Sequence, residues 1–271
     1  MSYIKKEDYE EPRCLLNMNP EIIRIPTHRV IEKLDCYLCK NDYNAAERHL
    51  KYWLTEAEGG NDNRGRLTVL NELIGLYRKT GKMTECLDII DKTLELIACE
   101  EFAGTITVGT TYINAATGYK AFDKVSEALP LYAKAREIYE KNLDKDDERL
   151  AGLYNNYALA LTSEKEFNKA KELLFNAVDI MNKQENGEAD AAISYLNLAD
   201  LVTASDGAEE GAVEIDTYVS KAQELLETPT LPRDGYYAFV CEKCAPVFGY
   251  YGCFAFEEEL KKRMKEIYEG T

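Results

Sequence analysis

Histidine is almost missing from this 271-residue chain, which has only His28 and His49, at no metal-ligand spacing. Histidine-rich zinc centres are thereby excluded, and no serine or cysteine sits in a recognisable nucleophile context. No apolar run approaches the roughly 18 residues of a membrane span. The start, "MSYIKKEDYEEPRC", lacks the apolar core of a secretory signal, so a cytoplasmic location is expected. No stretch alternates Val, Ile and Thr, and no sheet is expected. The stretch "GLYRKTGKM" (75–83) has one residue too many between its glycines for a phosphate loop, and no Ser or Thr follows its lysine. Positive charge is also short, with 33 basic residues against 49 acidic and a formal net charge of −16. Such a surface repels phosphate backbones and anionic lipid, which argues against nucleic acid and membrane partners.

What is present is helix. Hydrophobic residues make up 45% and charged residues 30%, a globular balance. Apolar residues recur at three- and four-residue spacing between breaks such as "EGGNDNRG" (58–65), "LDKDDER" (143–149) and "TPTLPRDG" (228–235).

A longer period lies over the helical one. Tyr43, Met83, Val125 and Phe167 each open a helical stretch, at steps of 40, 42 and 42 residues. Three residues on stands a small side chain, Ala46, Cys86, Ala128 or Ala170, and four further on Leu50, Ile90, Tyr132 or Leu174. Six residues before each opening lies Tyr37, Tyr77, Tyr119 or Leu161. Each unit reads as a helix, a short turn and a second helix, with the small residue letting the pair approach. One such pair cannot bury both apolar faces, so the units must stack.

The pattern resembles the tetratricopeptide-repeat (TPR) family. With "LYNNYALAL" (153–161) and "EALPLYAKA" (127–135), it is most similar to the long repeats of kinesin light chains. The resemblance implies an all-α chain, a right-handed α-solenoid of five to six hairpins over residues 27–271. A fifth unit pairs residues 191–202 with 211–226. A sixth pairs 236–250 with 254–268, with Asp234 as helix cap. Residues 1–26, with Pro12, Pro20 and Pro26, read as an extended N-terminal arm.

In proteins of this kind the first helices of successive repeats line a groove for peptides or partner segments. Asn114, Asn156 and Asn197 recur at one position of those helices, and Asn71 and Asn155 sit one position earlier. An amide both donates and accepts, so a ladder of them can hold an extended backbone whatever its side chains. Kinesin light chains carry a similar ladder. The competing reading is that these asparagines tie neighbouring helices together. Arg78 and Lys120 match each other further along, which points to an acidic ligand. The family's carboxylate-clamp lysine is missing, since Ile31, Asn71 and Ile113 hold its position. The expectation is therefore a non-enzymatic scaffold with no cofactor. Its peptide-binding residues are Asn71, Arg78, Asn114, Lys120, Asn155, Asn156 and Asn197, and its partner is a protein or peptide of acidic character.

The alternative is a metal or redox protein using the cysteine-rich end. Cys241 and Cys244 have metal-ligand spacing, as do Cys36 and Cys39, but both pairs fall on helices at opposite ends of the repeat array. Cys86 already shows a cysteine in a packing role, and Cys241 and Cys244 read the same way. The aromatics around them, from Tyr236 to Phe256, read as a lid on the last hairpin, or else as a contact surface for a partner or a second copy. Pro246 is expected to break or kink the helix it sits in. Purified protein should carry no stoichiometric zinc. Elemental analysis finding about one zinc per chain would restore the cysteine reading.

Overall fold

The computed structural model describes residues 22–270, so most of the expected N-terminal arm lies outside the described residues. Among them are twelve α-helices and no strand. They run α1 (Thr27–Leu38), α2 (Tyr43–Gly59), α3 (Asn63–Thr80), α4 (Met83–Ile97), α5 (Ile106–Ala121) and α6 (Val125–Asn142). The chain continues with α7 (Glu148–Ser163), α8 (Phe167–Met181), α9 (Glu188–Asp206), α10 (Ala212–Leu226), α11 (Gly235–Tyr250) and α12 (Phe254–Glu269). Consecutive helices pair as six antiparallel hairpins, which makes the chain an α-solenoid of TPR-like repeats. They fall into two compact units of three hairpins each, the first ending at Asn142 and the second beginning at Leu143.

The four opening residues of the sequence repeat are the first residues of α2, α4, α6 and α8. The residues six before them have a backbone role that the pattern did not reveal. The amide that follows each turn's left-handed residue reaches back to their carbonyls: Asp42 to Tyr37 (2.9 Å), Lys82 to Tyr77 (2.9 Å), Lys124 to Tyr119 (3.0 Å) and Glu166 to Leu161 (2.9 Å). This is the six-to-one bond that closes a helix through a left-handed residue. That residue is Asn41, Gly81, Asp123 or Lys165, at φ 54°, 68°, 58° and 62°. The α11–α12 turn repeats the device, with Cys253 bonded to Phe248 (2.8 Å) and Gly252 at φ 82°.

Packing follows the register. Ala46, Cys86, Ala128 and Ala170 are fully buried, as are Leu50, Ile90 and Tyr132. Gly118 on α5 shows how close the approach is, since a Cβ there would lie 2.8 Å from Ile90 Cδ1. The chain entering α1 is pinned by Asp62. Its carboxylate caps α3 through the Gly65 amide (3.0 Å) and accepts the Ile25 amide (3.0 Å).

The fifth hairpin differs from its expected bounds, because α9 extends to Glu188 and Asp206. In the sixth, Asp234 caps α11 as expected, accepting from the Tyr236 and Tyr237 amides at 2.9 and 3.0 Å. Its small residue has moved to the first helix. Glu257 lies over Gly249, where a Cβ would collide with its carboxylate. Helix α11 runs unbroken through Pro246, contrary to the expected break. The lost hydrogen bond would have gone to Glu242, and both residues face solvent, so water can serve that carbonyl. Tyr237, Phe248 and Phe256 form the buried lid, while Tyr250 and Phe254 stay exposed at its rim. Helix α12 closes the unit with ion pairs, Lys261 to Glu257 (2.8 Å) and Arg263 to Glu259 (2.9 Å). Lys261 also pairs with Glu258 (2.8 Å).

Lys165 is the one turn residue of the series without the short side chain or bare Cα that tolerates positive φ. It is exposed. Lys165→Gly should therefore raise the stability of the folded chain by about 1 kcal/mol, read from the urea midpoint at unchanged m-value.

Candidate functional site

The seven expected binding residues all lie on first helices of hairpins. Asn71, Arg78, Asn114 and Lys120 belong to the first unit, and Asn155, Asn156 and Asn197 to the second.

In the first unit Asn71 is buried between α3 and α5. Its amide donates to the Leu67 carbonyl (3.0 Å) and to Thr111 Oγ1 (3.1 Å), and its oxygen accepts from Asn114 Nδ2 (2.9 Å). Both N–H groups are thus committed to the fold. Asn114 is half-buried, and no bond among the described residues uses its carbonyl oxygen.

The second unit repeats this arrangement. Asn155 donates to the Ala151 carbonyl (3.3 Å) and Ser194 Oγ (2.8 Å), and accepts from Asn197 Nδ2 (2.9 Å). Asn156 bonds only its own helix, at the Gly152 carbonyl (2.9 Å). The amides therefore form two equivalent clasps, Asn71–Thr111–Asn114 and Asn155–Ser194–Asn197. The inner residue of each ties neighbouring hairpins, and the outer one keeps hydrogen-bonding capacity toward solvent. The hydroxyl partners escaped sequence reading, although each sits three residues before its asparagine, as "TYIN" (111–114) and "SYLN" (194–197).

Arg78 is exposed at the end of α3, and Lys120 is half-buried at the end of α5. Burial lowers the Lys120 pKa, and the Arg78 charge lowers it further. The two cations therefore feel each other, and no carboxylate among the described residues pairs with either. Both also sit in the last turns of their helices, where cations complement the helix dipole.

Charge is unevenly divided, a feature hidden in the overall sum. The first unit has 20 basic and 23 acidic residues, and the second has 13 and 26. On α9, Asp190 accepts from Tyr236 Oη (2.5 Å) and Asp200 from Tyr251 Oη (2.7 Å). Burial raises the pKa of both carboxyls, only partly offset by the tyrosine bonds.

The two cysteine pairs have opposite environments. Cys241 and Cys244 are buried core side chains whose thiol pKa values burial raises, that of Cys241 to about 11. Cys36 is exposed on α1, and Cys39 is exposed just past its end rather than on the helix as expected. No group of three or more His, Cys, Asp or Glu side chains among the described residues could hold a metal ion. No helix among them is long and apolar enough to cross a membrane.

Comparison with solved structures agrees with this geometry. BtubC (BKLC) from P. vanneervenii superposes with a TM-score of 0.64 at 20% identity, over 73% of this chain and 78% of that one. The fold is that of TPR-like helical repeats. A Podosopora anserina putative kinesin light chain with nearly identical TPR-like repeats matches with a TM-score of 0.52 at 19% identity. A single-substitution variant of that protein gives 0.52 at 20%, and in both cases the match covers 74% of this chain and 94% of that one. No protein-family model matches the chain, and no curated protein is significantly similar in sequence. At these identities the likeness concerns the fold.

The clasp geometry separates the asparagines by their effect on stability. Asn71→Ala and Asn155→Ala each remove the whole clasp and leave the outer asparagine amide without its partner, while Thr111 and Ser194 keep their bonds to the Thr107 and Asp190 carbonyls; each change should cost about 1–3 kcal/mol. Asn156→Ala loses only an intrahelical bond and should stay within about 0.5 kcal/mol, read from the same denaturation curves.

Proposed function

We propose that this chain is a non-catalytic scaffold whose first-helix faces hold extended segments of partner proteins. The observation that carries the reading is the Arg78–Lys120 pair, two mutually repelling cations left without a carboxylate in a protein of net charge −16. Lys120 is held in a setting that disfavours its charge, so a bound carboxylate would relieve both desolvation and repulsion. In the first unit Arg78 and Lys120 then set the preference for an acidic segment. Asn114, whose carbonyl oxygen is unused, takes a backbone amide of that segment. Asn71 positions Asn114 through their 2.9 Å bond without touching the ligand. In the second unit Asn156 and Asn197 offer amides in the same way, and Asn155 positions Asn197.

The TPR-like fold supports a scaffold role, and the clasps support amides held in fixed orientation for a ligand backbone. Preorganised donors lower the ordering cost of binding, which matters for an extended, flexible ligand.

Fluorescence anisotropy with labelled peptides matched in length and differing in charge tests the proposal. Acidic peptides should bind best, with affinity falling as salt rises. Arg78→Ala with Lys120→Ala should weaken acidic peptides about tenfold and flatten the salt dependence. Asn114→Ala should weaken peptides held in the first unit about two- to tenfold, one amide contact of roughly 0.5–1.5 kcal/mol. Acidic binding indifferent to all three changes would remove the site assignment and leave the fold untouched.

A further inference from the structure

The second unit presents a face of different chemistry. Its middle first helix, α9, leaves one stripe partly open: Asp190, Ile193, Asn197 and Asp200, ending at exposed Ala204. These positions, at offsets of 3, 7, 10 and 14, lie on one side of a helix. The neighbouring first helix, α11, opens the same stripe with Tyr236, Phe239, Lys243, Pro246 and Tyr250. Two tyrosines link these helices, Tyr236 from within the α11 stripe and Tyr251 just beyond the helix end, bonded to Asp190 and Asp200. A row of carboxylate and amide groups therefore runs beside a row of rings.

Neither carboxylate has a cationic partner among the described residues; each accepts a single tyrosine hydroxyl. Both are desolvated, and Glu148 adds repulsion at Asp190. A carboxylate beside an aromatic ring is the environment that an arginine or lysine side chain satisfies at both ends, by ion pairing and by its position over the ring. The face already shows the second half of that chemistry, since Lys243 Nζ lies 5.5 Å from the Phe239 ring centre. The surrounding unit, with 26 acidic residues against 13 basic, adds long-range attraction for positive charge.

We infer that the α9–α11 face of the second unit docks an extended segment of a partner protein bearing two cationic side chains. Asp190 and Asp200 each pair with one cation, Asn197 holds the backbone between them, and the α11 rings pack against the side-chain stems. Ten helical residues separate the carboxylates by about 15 Å. An extended chain covers that span in about four or five residues, which sets the spacing of the two cations. This rests on the reading of first-helix faces as binding surfaces, and it assigns the second unit a partner opposite in charge to that of the first.

The probe is a fluorescein-labelled Gly/Ser decapeptide with two arginines five positions apart, beside one with glutamates at the same positions. The arginine peptide should bind at low salt and the glutamate peptide should not bind this face. Asp190→Asn with Asp200→Asn keeps an oxygen for each tyrosine hydroxyl and should weaken the arginine peptide tenfold or more, with helical circular dichroism unchanged. Lys243→Glu, which removes a competing cation and adds a carboxylate, should tighten it several-fold. Arg78→Ala with Lys120→Ala should leave it unchanged. Indifference of the arginine peptide to both the aspartate and the Lys243 changes would overturn the inference. Acidic peptides bound through Arg78 and Lys120, with no arginine-peptide binding, would also sink it while leaving the first-unit reading intact. Failure of both peptide classes would end both.

Discussion

The bond from Lys82 to the Tyr77 carbonyl, and its counterparts in four other hairpins, is the constraint from which the rest follows. One left-handed residue and one six-to-one bond fix where the second helix starts relative to the first. Once that register is set, the residue three places into the second helix must face the first helix at close range. Where the facing helix offers no glycine, only a small side chain fits there, and Ala46, Cys86, Ala128 and Ala170 are fully buried for that reason. The same register turns one stripe of each of these five first helices away from its partner. The surface available for recognition is thus a by-product of a backbone turn.

Much of this was legible because the turn writes itself into sequence at fixed distances. Residues 37, 77, 119 and 161 stood out as large side chains, while their decisive contribution is a carbonyl that any residue would supply. The sixth hairpin was harder to read because its small residue is not on the second helix. There Glu257 occupies the place and Gly249 on the facing helix makes the room. Close approach needs one small partner, and either helix can provide it. Pro246 misled for a related reason, since proline ends a helix where the freed carbonyl is buried, and here it faces water.

The surroundings of the candidate site residues were legible in outline only. A single sequence shows that asparagines recur, but not which is spent on the fold. That depends on Thr111 and Ser194 in the next hairpin, 40 and 39 residues from Asn71 and Asn155. The two cysteine pairs make the same point with identical spacing. Cys241 and Cys244 sit among Val240, Ala245 and Phe248 and are core, whereas Cys36 and Cys39 sit between Asp35 and Lys40 and are exposed. Net charge failed as a guide because it averages two unlike units.

That last difference bears on the proposal that one fold takes two kinds of partner. The amide clasps of the two units are nearly superimposable in chemistry: an inner asparagine, a hydroxyl and an outer asparagine, at 2.8–3.1 Å. Amides read a peptide backbone and are indifferent to its side chains. Selection must therefore come from the residues beside them, which differ in sign: Arg78 and Lys120 near one clasp, Asp190 and Asp200 near the other. A partly buried network that has to be kept for stability would preserve backbone affinity while the flanking charges change. On the proposed reading, stability and generic affinity reside in the clasp, and specificity in the open stripe. This division lets a repeat diverge in partner without losing its fold.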